Sequence, residues 1–426
     1  MNYREARQFL DRFPQFEVKP GLRRIQRLLE AVNRPHLAYP TIHIGGTNGK
    51  GSVVAMLDAV LRCAGFRVGR FTSPELIDFR DRIVVNGEWI SEIDLAASVT
   101  RMAPAIEALD DVPSQFEVIT ALAFDHLARS RVELSVIEVG LGGRFDATNV
   151  VRPELAVLTN VSLDHRAILG DTVEAIAWEK AGIAKADTPL LIGDVATSVS
   201  EIVSAECEKT GAVLKTADGI DVRRLSRDWD SGVFQAEWDG KVHKLGIPLI
   251  GSAQVDNLRL VLGAIAELRT CGFEIREAAV VEGLRSVQWP GRFEVIRKRP
   301  TIVLDGAHNP AAIRRLVIDV IDLIPNPERR SLLYGSLLDK DVDAALAALR
   351  DAFPAIGICA SDGPRALSID RLFELAQEHF QQIVQYHSIA EGIESWMLRA
   401  NTEDVLVITG SLTVVGEARR WLMEEI

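Results

Sequence analysis

YPTIHIGGTNGKGS, residues 39–52, is the stretch on which the fold turns. Ile42 and Ile44 alternate with polar neighbours as a short strand does, and the run then breaks into a glycine-rich turn. From Ser52 the chain continues as VVAMLDAVLRCAG, apolar at helical spacing. Strand, glycine loop and helix in that order make an anion site, because loop amides and the helix N-terminus aim unpaired N–H groups at one spot. Gly45, Gly46, Gly49 and Gly51 let the backbone close on a phosphate, and Lys50 brings a mobile positive charge. The strict pattern G-x-x-x-x-G-K-[ST] is not met. Gly51 stands between Lys50 and Ser52, and Ile44 takes the place of the first glycine. The reading is a nucleotide-phosphate site.

Outward from this loop, residues 4–14 and 21–33 read as amphipathic helices and 66–71 as the next strand. Asn86-Gly87 between two apolar runs signals a hairpin. Residues 116–129 have helical period, while 133–139 and 155–161 are dense apolar runs of the kind found in buried parallel strands. A helix at 172–185, a strand at 190–192 and a helix at 198–209 follow. Residues 219–250 alternate around Asp239-Gly240 as a small antiparallel ribbon does, and two helices are expected at 254–270 and 275–286. Trp289-Pro290-Gly291 breaks the pattern. The expected domains are therefore 1–288, a nucleotide-binding unit with a mainly parallel sheet, and 289–426, a smaller Rossmann-like α/β unit. In the second, five strands (301–304, 331–335, 356–359, 383–386 and 405–409) alternate with helices.

Carboxyl ends of parallel strands are where open α/β sheets bind ligands. Glu138 ends one such strand, Asp164 and His165 follow the next, and Thr72-Ser73 closes the strand after the phosphate-loop helix. An acidic group beside a phosphate loop is the expected place for Mg²⁺, which bridges a carboxylate to nucleotide phosphates. IVLDGAHNP (302–310) offers another strand-end site through Asp305 and His308, with Asn309 capping a helix that starts at Pro310. Lys180, on a helix, reads from pattern alone as a solvated lysine.

GTNGKGS (46–52), TSP (72–74), FE (116–117), EVGLGGRFDATN (138–149), TNVSLDH (159–165), EKAGI (179–183), PGRFE (290–294), DGAHNP (305–310), DKD (339–341) and TGS (409–411) occur in one order over nearly the whole chain. Together they resemble the folylpolyglutamate synthases, including the bifunctional dihydrofolate synthases, within the Mur ligase superfamily. The resemblance implies ATP-dependent attachment of L-glutamate to the γ-carboxylate of a reduced folate through an acyl phosphate, with dihydropteroate as a second acceptor. It implies that Thr47, Asn48, Gly49, Lys50, Gly51 and Ser52 surround the phosphates, and that Asn257, Arg292 and Asp305 contact nucleotide. Ser73, Glu138 and His165 would be magnesium ligands, joined by Lys180 as a carbamate at a second Mg²⁺, with K⁺ as a further cation. Lys50, Lys180 and His308 are the expected catalytic groups. Phe116, Glu117, Phe145, Asp146 and Ala147 would hold pteroate, and His308 and Ser411 the incoming glutamate. The segment FEVKPGLRR (16–24) is similar to the family's pterin-proximal loop. Departures are Ala253 where many members have His, Glu75 where many have His or Tyr, and Thr413 where many have an aromatic or His.

A net charge of −12 opposes sequence-independent binding to nucleic acid or anionic membrane, so positive charge for a nucleotide must be local. At 47% hydrophobic and 25% charged residues, the composition is that of a soluble globular protein. Four scattered cysteines suit buried thiols in a reducing compartment, and with no apolar leader and no apolar run of spanning length the expected location is cytoplasmic. A monomer is expected. The competing readings are a Mur-type peptidoglycan peptide ligase and a P-loop nucleotide-binding regulator without ligase activity.

Overall fold

The computed structural model describes residues 1–15 and 21–425. The expected helices at 4–14 and 21–33 are Tyr3–Leu10 and Arg23–Ala31. Residues 16–20, and with them most of the segment likened to a pterin-proximal loop, lie outside the described residues.

Two α/β units make up the chain. In the first, β1 (Thr41–Gly45), β2 (Val68–Phe71), β3 (Ile83–Val85), β4 (Glu88–Trp89), β5 (Leu134–Glu138), β6 (Leu155–Leu158), β7 (Pro189–Ile192) and β8 (Val213–Thr216) form one sheet in the order β4-β3-β2-β5-β1-β6-β7-β8. The pairings from β2 to β8 are parallel, and the β3–β4 hairpin adds an antiparallel edge. Asn86 and Gly87 turn that hairpin with φ of 53° and 90°, which a two-residue turn between twisted strands requires. β1 lies between β5 and β6, so the loops after these three strands open side by side at one edge.

Helix Lys50–Cys63 is buried without interruption from Gly51 to Leu61. Its apolar surface runs all round because it is packed between the sheet and helices Gln254–Thr270 and Glu277–Ser286. A Cβ on Gly283 would stand 2.4 Å from Val60 Cα, so these helices touch almost backbone to backbone. The ribbon is three-stranded: β9 (Asp221–Arg227), β10 (Gly232–Trp238) and β11 (Lys241–Ile247), with Asp239 and Gly240 both at positive φ in its turn.

The second unit holds β12 (Glu294–Arg297), β13 (Thr301–Asp305), β14 (Arg330–Tyr334), β15 (Ile356–Ile358), β16 (Ile383–Gln385) and β17 (Val405–Thr409), ordered β12-β13-β17-β14-β15-β16. The five expected strands are all parallel, and β12 is an antiparallel edge strand absent from the sequence reading. Its four residues are all half-buried, so no apolar periodicity marks them. Helix Glu92–Glu107, capped by the Ser91 hydroxyl, and β8 were likewise not anticipated. The units touch beyond the connecting segment. Leu76 of the first packs on the core of the second, and Arg227 of the ribbon donates to Asp319 at 2.5 Å.

A buried imidazole gives this fold a specific acid sensitivity. His43, in β1, is fully buried with Nε2 2.8 Å from the Thr148 hydroxyl. Burial, and then the charge of Lys185, pushes its pKa down to about 3. The unfolded chain takes up this proton near pH 6.5 and the native chain does not, so stability falls as pH drops from about 6.5 towards 3, by up to about 1.4 kcal/mol per unit. Unfolding midpoints between pH 7.5 and 5.0 should therefore fall more steeply for wild type than for His43→Asn, and equal slopes would discount His43 as the cause.

Candidate functional site

Loops at the carboxyl ends of both sheets enclose one cavity of about 690 Å³. Its walls include Gly46 to Ser52, Ser73, Glu138, His165, Lys180 and Asn257 from the first unit, and Arg292, Asp305 and His308 from the second. The nucleotide, metal and catalytic candidates thus share one space. Ser411, Phe116, Glu117, Phe145, Asp146 and Ala147 are not among its lining residues.

The phosphate loop is held open from below. Gly49 has φ 84°, a left-handed conformation, and a Cβ there would fall 2.4 Å from Asn257 Oδ1. Asn257 Nδ2 in turn donates to Gln254 at 2.9 Å, on the helix that begins after Ala253. A Cβ on Gly51 would lie 2.6 Å from the Trp289 ring, so the connecting segment rests on the loop. Thr159 and Asn160 brace the same loop. Their side chains donate to the Asn48 carbonyl at 2.7 and 2.9 Å, and Asn160 Oδ1 accepts from the Asn48 amide at 3.0 Å. Neither residue was singled out from the sequence, although both stand in TNVSLDH beside residues that were.

Lys50 Nζ donates to the Thr47 carbonyl at 3.2 Å and stands 4.0 Å from Glu138 Oε1. Burial raises the Glu138 pKa against the opposing charges of Lys50 and Arg292. Its remaining polar contact is a long one, from the Ser73 amide at 3.4 Å. A buried carboxylate so thinly satisfied, beside a phosphate loop, suits a hard cation that takes oxygen ligands. Among the described residues no three His, Cys, Asp or Glu groups gather as a metal cage. Mg²⁺ needs none, since it keeps waters and binds through one or two carboxylates plus phosphates.

Lys180 corrects the pattern-based expectation of a solvated lysine. It is 5% exposed, and Nζ donates to the Gly46 carbonyl at 2.9 Å. Burial, and then the charge of Lys50, pushes its pKa down to about 7. His165, at φ 49°, has its pKa lowered to about 4 by burial and then by Lys340, whose Nζ lies 3.3 Å from His165 Nε2. Burial opposes ionisation of the adjacent Asp164. The His308 hydrogen bond and the Lys340 charge nevertheless hold that carboxyl far below the ordinary range.

In the second unit, Asp305 accepts from the Phe293 and Ala307 amides at 2.8 and 2.9 Å, which ties the connecting segment to the DGAHNP loop. Asp305→Ala is expected to weaken ATP binding roughly tenfold, since it leaves two amides unpaired beside the cavity. Titration with an ATP analogue checks this, and wild-type affinity would remove Asp305 from the nucleotide site. His308 Nδ1 lies 2.8 Å from the Gly306 carbonyl, and Ser411 caps the last helix by accepting from Val414 at 3.1 Å.

Of the residues expected at the pteroate side, Phe116 and Asp146 sit directly behind Gly140 and Leu141 of the cavity wall. Phe116 stacks on Phe71 at 6.1 Å and packs over Gly140. Asp146 accepts from the Leu141 and Thr148 amides at 2.8 and 2.9 Å and from the Thr148 hydroxyl. Glu117 completes a helix cap with Ser114 and pairs with Arg24 at 3.1 Å. Ala147 is buried, whereas Phe145 is 45% exposed. Glu75, one of the departures, is paired with Arg82.

This arrangement has relatives. The Mur ligase middle domain family matches residues 44–265, and the Mur ligase glutamate ligase domain family matches residues 291–412. The dihydrofolate synthase/folylpolyglutamate synthase of Bacillus subtilis is 34% identical over 99% of both chains. A Haloferax volcanii protein named as a probable bifunctional folylpolyglutamate synthase/dihydropteroate synthase is 37% identical over 98% of this chain, which spans about half (50%) of that longer protein. The structure of Mycobacterium tuberculosis folylpolyglutamate synthase complexed with ADP and AMPPCP superposes with a TM-score of 0.90 at 33% identity, covering 99% of this chain and 98% of that one. With a phosphate loop facing a second α/β unit across one cavity, and with these relatives, the chain belongs to the folylpolyglutamate synthase and dihydrofolate synthase family of ATP-dependent Mur ligases.

Proposed function

We propose that this chain joins L-glutamate to the γ-carboxylate of a reduced folate at the expense of ATP, and that it also accepts dihydropteroate. The observation that carries the reading is the single cavity in which Lys50 and Glu138 face Arg292, Asp305 and His308. A folate carboxylate oxygen attacks the γ-phosphorus of ATP and ADP departs. The glutamate amine then attacks the acyl carbon and phosphate leaves. Such a sequence asks the protein for position, charge neutralisation and exclusion of water rather than for a nucleophile of its own.

In this reading the loop amides from Thr47 to Ser52 and the Lys50 ammonium hold the phosphates. Ser73, Glu138 and His165 would hold Mg²⁺, which when bound neutralises phosphate charge as it shifts to the leaving oxygen. The Lys180 amine, with a pKa near 7, is nucleophilic enough to take up CO₂ and lose a proton, becoming a carboxylate able to help hold a second Mg²⁺. Arg292 and Asn257 reach the nucleotide, while His308 and Ser411 receive glutamate. Phe116 offers an aromatic face to pteroate and Asp146 a carboxylate beside it, with Glu117, Phe145 and Ala147 around them. Residues 1–288 and 289–426 act as the two jaws.

The test is ADP release with Mg-ATP and glutamate, comparing dihydropteroate with a reduced folate monoglutamate. Release with both acceptors is the expected result. Release with reduced folate alone would restrict the enzyme to polyglutamylation, and release with neither would overturn the folate reading.

A further inference from the structure

Asp164 lies in the loop after β6, next to a candidate metal ligand; the sequence marks its strand-end place, and the family resemblance gives it no role. Its side chain is only 10% exposed, and almost everything it binds comes from the other unit. Oδ1 accepts from Lys340 Nζ at 2.9 Å, and Lys340 is itself 5% exposed. Oδ2 accepts from Asn309 Nδ2 at 3.0 Å and stands 3.6 Å from His308 Nε2. One first-unit carboxylate therefore gathers the DGAHNP loop after β13 and the DKD loop after β14. Asn309 Nδ2 also donates to Asn48 Oδ1 at 3.0 Å, which carries the connection to the phosphate loop.

A charged pair this dry exists only while the units are together, because separation returns both groups to water. Its strength comes from the hydrogen bonds that satisfy the remaining lone pairs, and losing one partner strands the other charge. The same contacts fix where His308 sits relative to Lys50.

We propose that Asp164 is the clasp of the closed enzyme, a positioning residue that registers the glutamate-side loops on the phosphate loop through Lys340, Asn309 and His308. The proposal rests on the ligase reading above. If the clasp fails, ATP and folate can still react, but the amine arrives in a loosened site and water competes for the acyl phosphate.

Asp164→Asn and Lys340→Met, separately and together, test this with three readouts: ADP released per glutamylated product, KM for glutamate and KM for ATP. In wild type the ratio should be about one. Each single variant should raise it and raise the glutamate KM roughly tenfold or more, with ATP KM within about twofold, and the double variant should be no worse than the poorer single one. A ratio of about one with wild-type glutamate KM would overturn the clasp. So would losses that multiply in the double variant, or a defect confined to ATP or Mg²⁺ requirement. Should Asp164→Asn not fold, Lys340→Met decides alone, since it lies in the other unit. Wild type without glutamate-dependent ADP release would defeat the ligase reading instead. Small-angle scattering then still decides the clasp: equal compaction of wild type and Lys340→Met with Mg-AMPPCP overturns it, and a more open variant supports it.

Discussion

Replacing Lys180 by alanine should lower turnover by about 10²–10³-fold, the scale set by removing one preorganised charged group from a reacting site. ATP affinity should stay within a few-fold. The side chain is buried under the phosphate loop with one hydrogen bond, to the Gly46 carbonyl. Losing that bond costs about 1 kcal/mol, too little to account for such a fall. What the variant removes is an amine whose pKa burial and then Lys50 bring down to about 7, and with it the carbamate proposed to form there. The truncated side chain leaves room for a small carboxylic acid in its place, so formate or acetate should restore part of the rate. Undiminished turnover would eliminate the carbamate. A loss in ATP affinity as large as the loss in rate would make Lys180 a brace for the loop and nothing more.

Glu138→Gln should be nearly as damaging to catalysis, by about 10²-fold or more, yet should barely affect the fold. Glutamine keeps the shape and the contact with the Ser73 amide while removing the charge. Burial already disfavours that charge, and the opposing Lys50 lies 4.0 Å away, so the change in unfolding free energy should be within about 1 kcal/mol and of either sign. The Mg²⁺ concentration for half-maximal rate should rise at the same time. Kinetics across a Mg²⁺ series, together with thermal unfolding of the apo protein, separate the two effects. A large drop in stability with an unchanged Mg²⁺ requirement would show that Glu138 supports the loop without serving a metal.

Much of this protein was legible in its chain. The strand–loop–helix of 39–63 was readable because glycine spacing and apolar period are local properties, and the same holds for the hairpin turn at Asn86-Gly87 and the alternation that builds the second sheet. Strand-end placement singled out Glu138, His165, Asp305 and His308 on topology alone, and the structure lines one cavity with all four. Helix Glu92–Glu107, β8 and β12 went unread. β8 and β12 are short and only partly buried, so what makes them strands is the neighbour they pair with.

Burial and pairing across the cleft were decided by tertiary structure. Lys180 looks like any surface lysine along its helix, and its pKa falls to about 7 only because it is buried against the phosphate loop, near Lys50. Asp164 and Lys340 are 176 residues apart, and no local pattern couples them. Most of the elements, their order and the phosphate loop are local to the chain, because they follow from backbone preferences and from periodicities of two and 3.6 residues. Which charges lost their water, and which met across the two units, depended on how the sheets came together, since desolvation and long-range pairing are properties of the packed molecule.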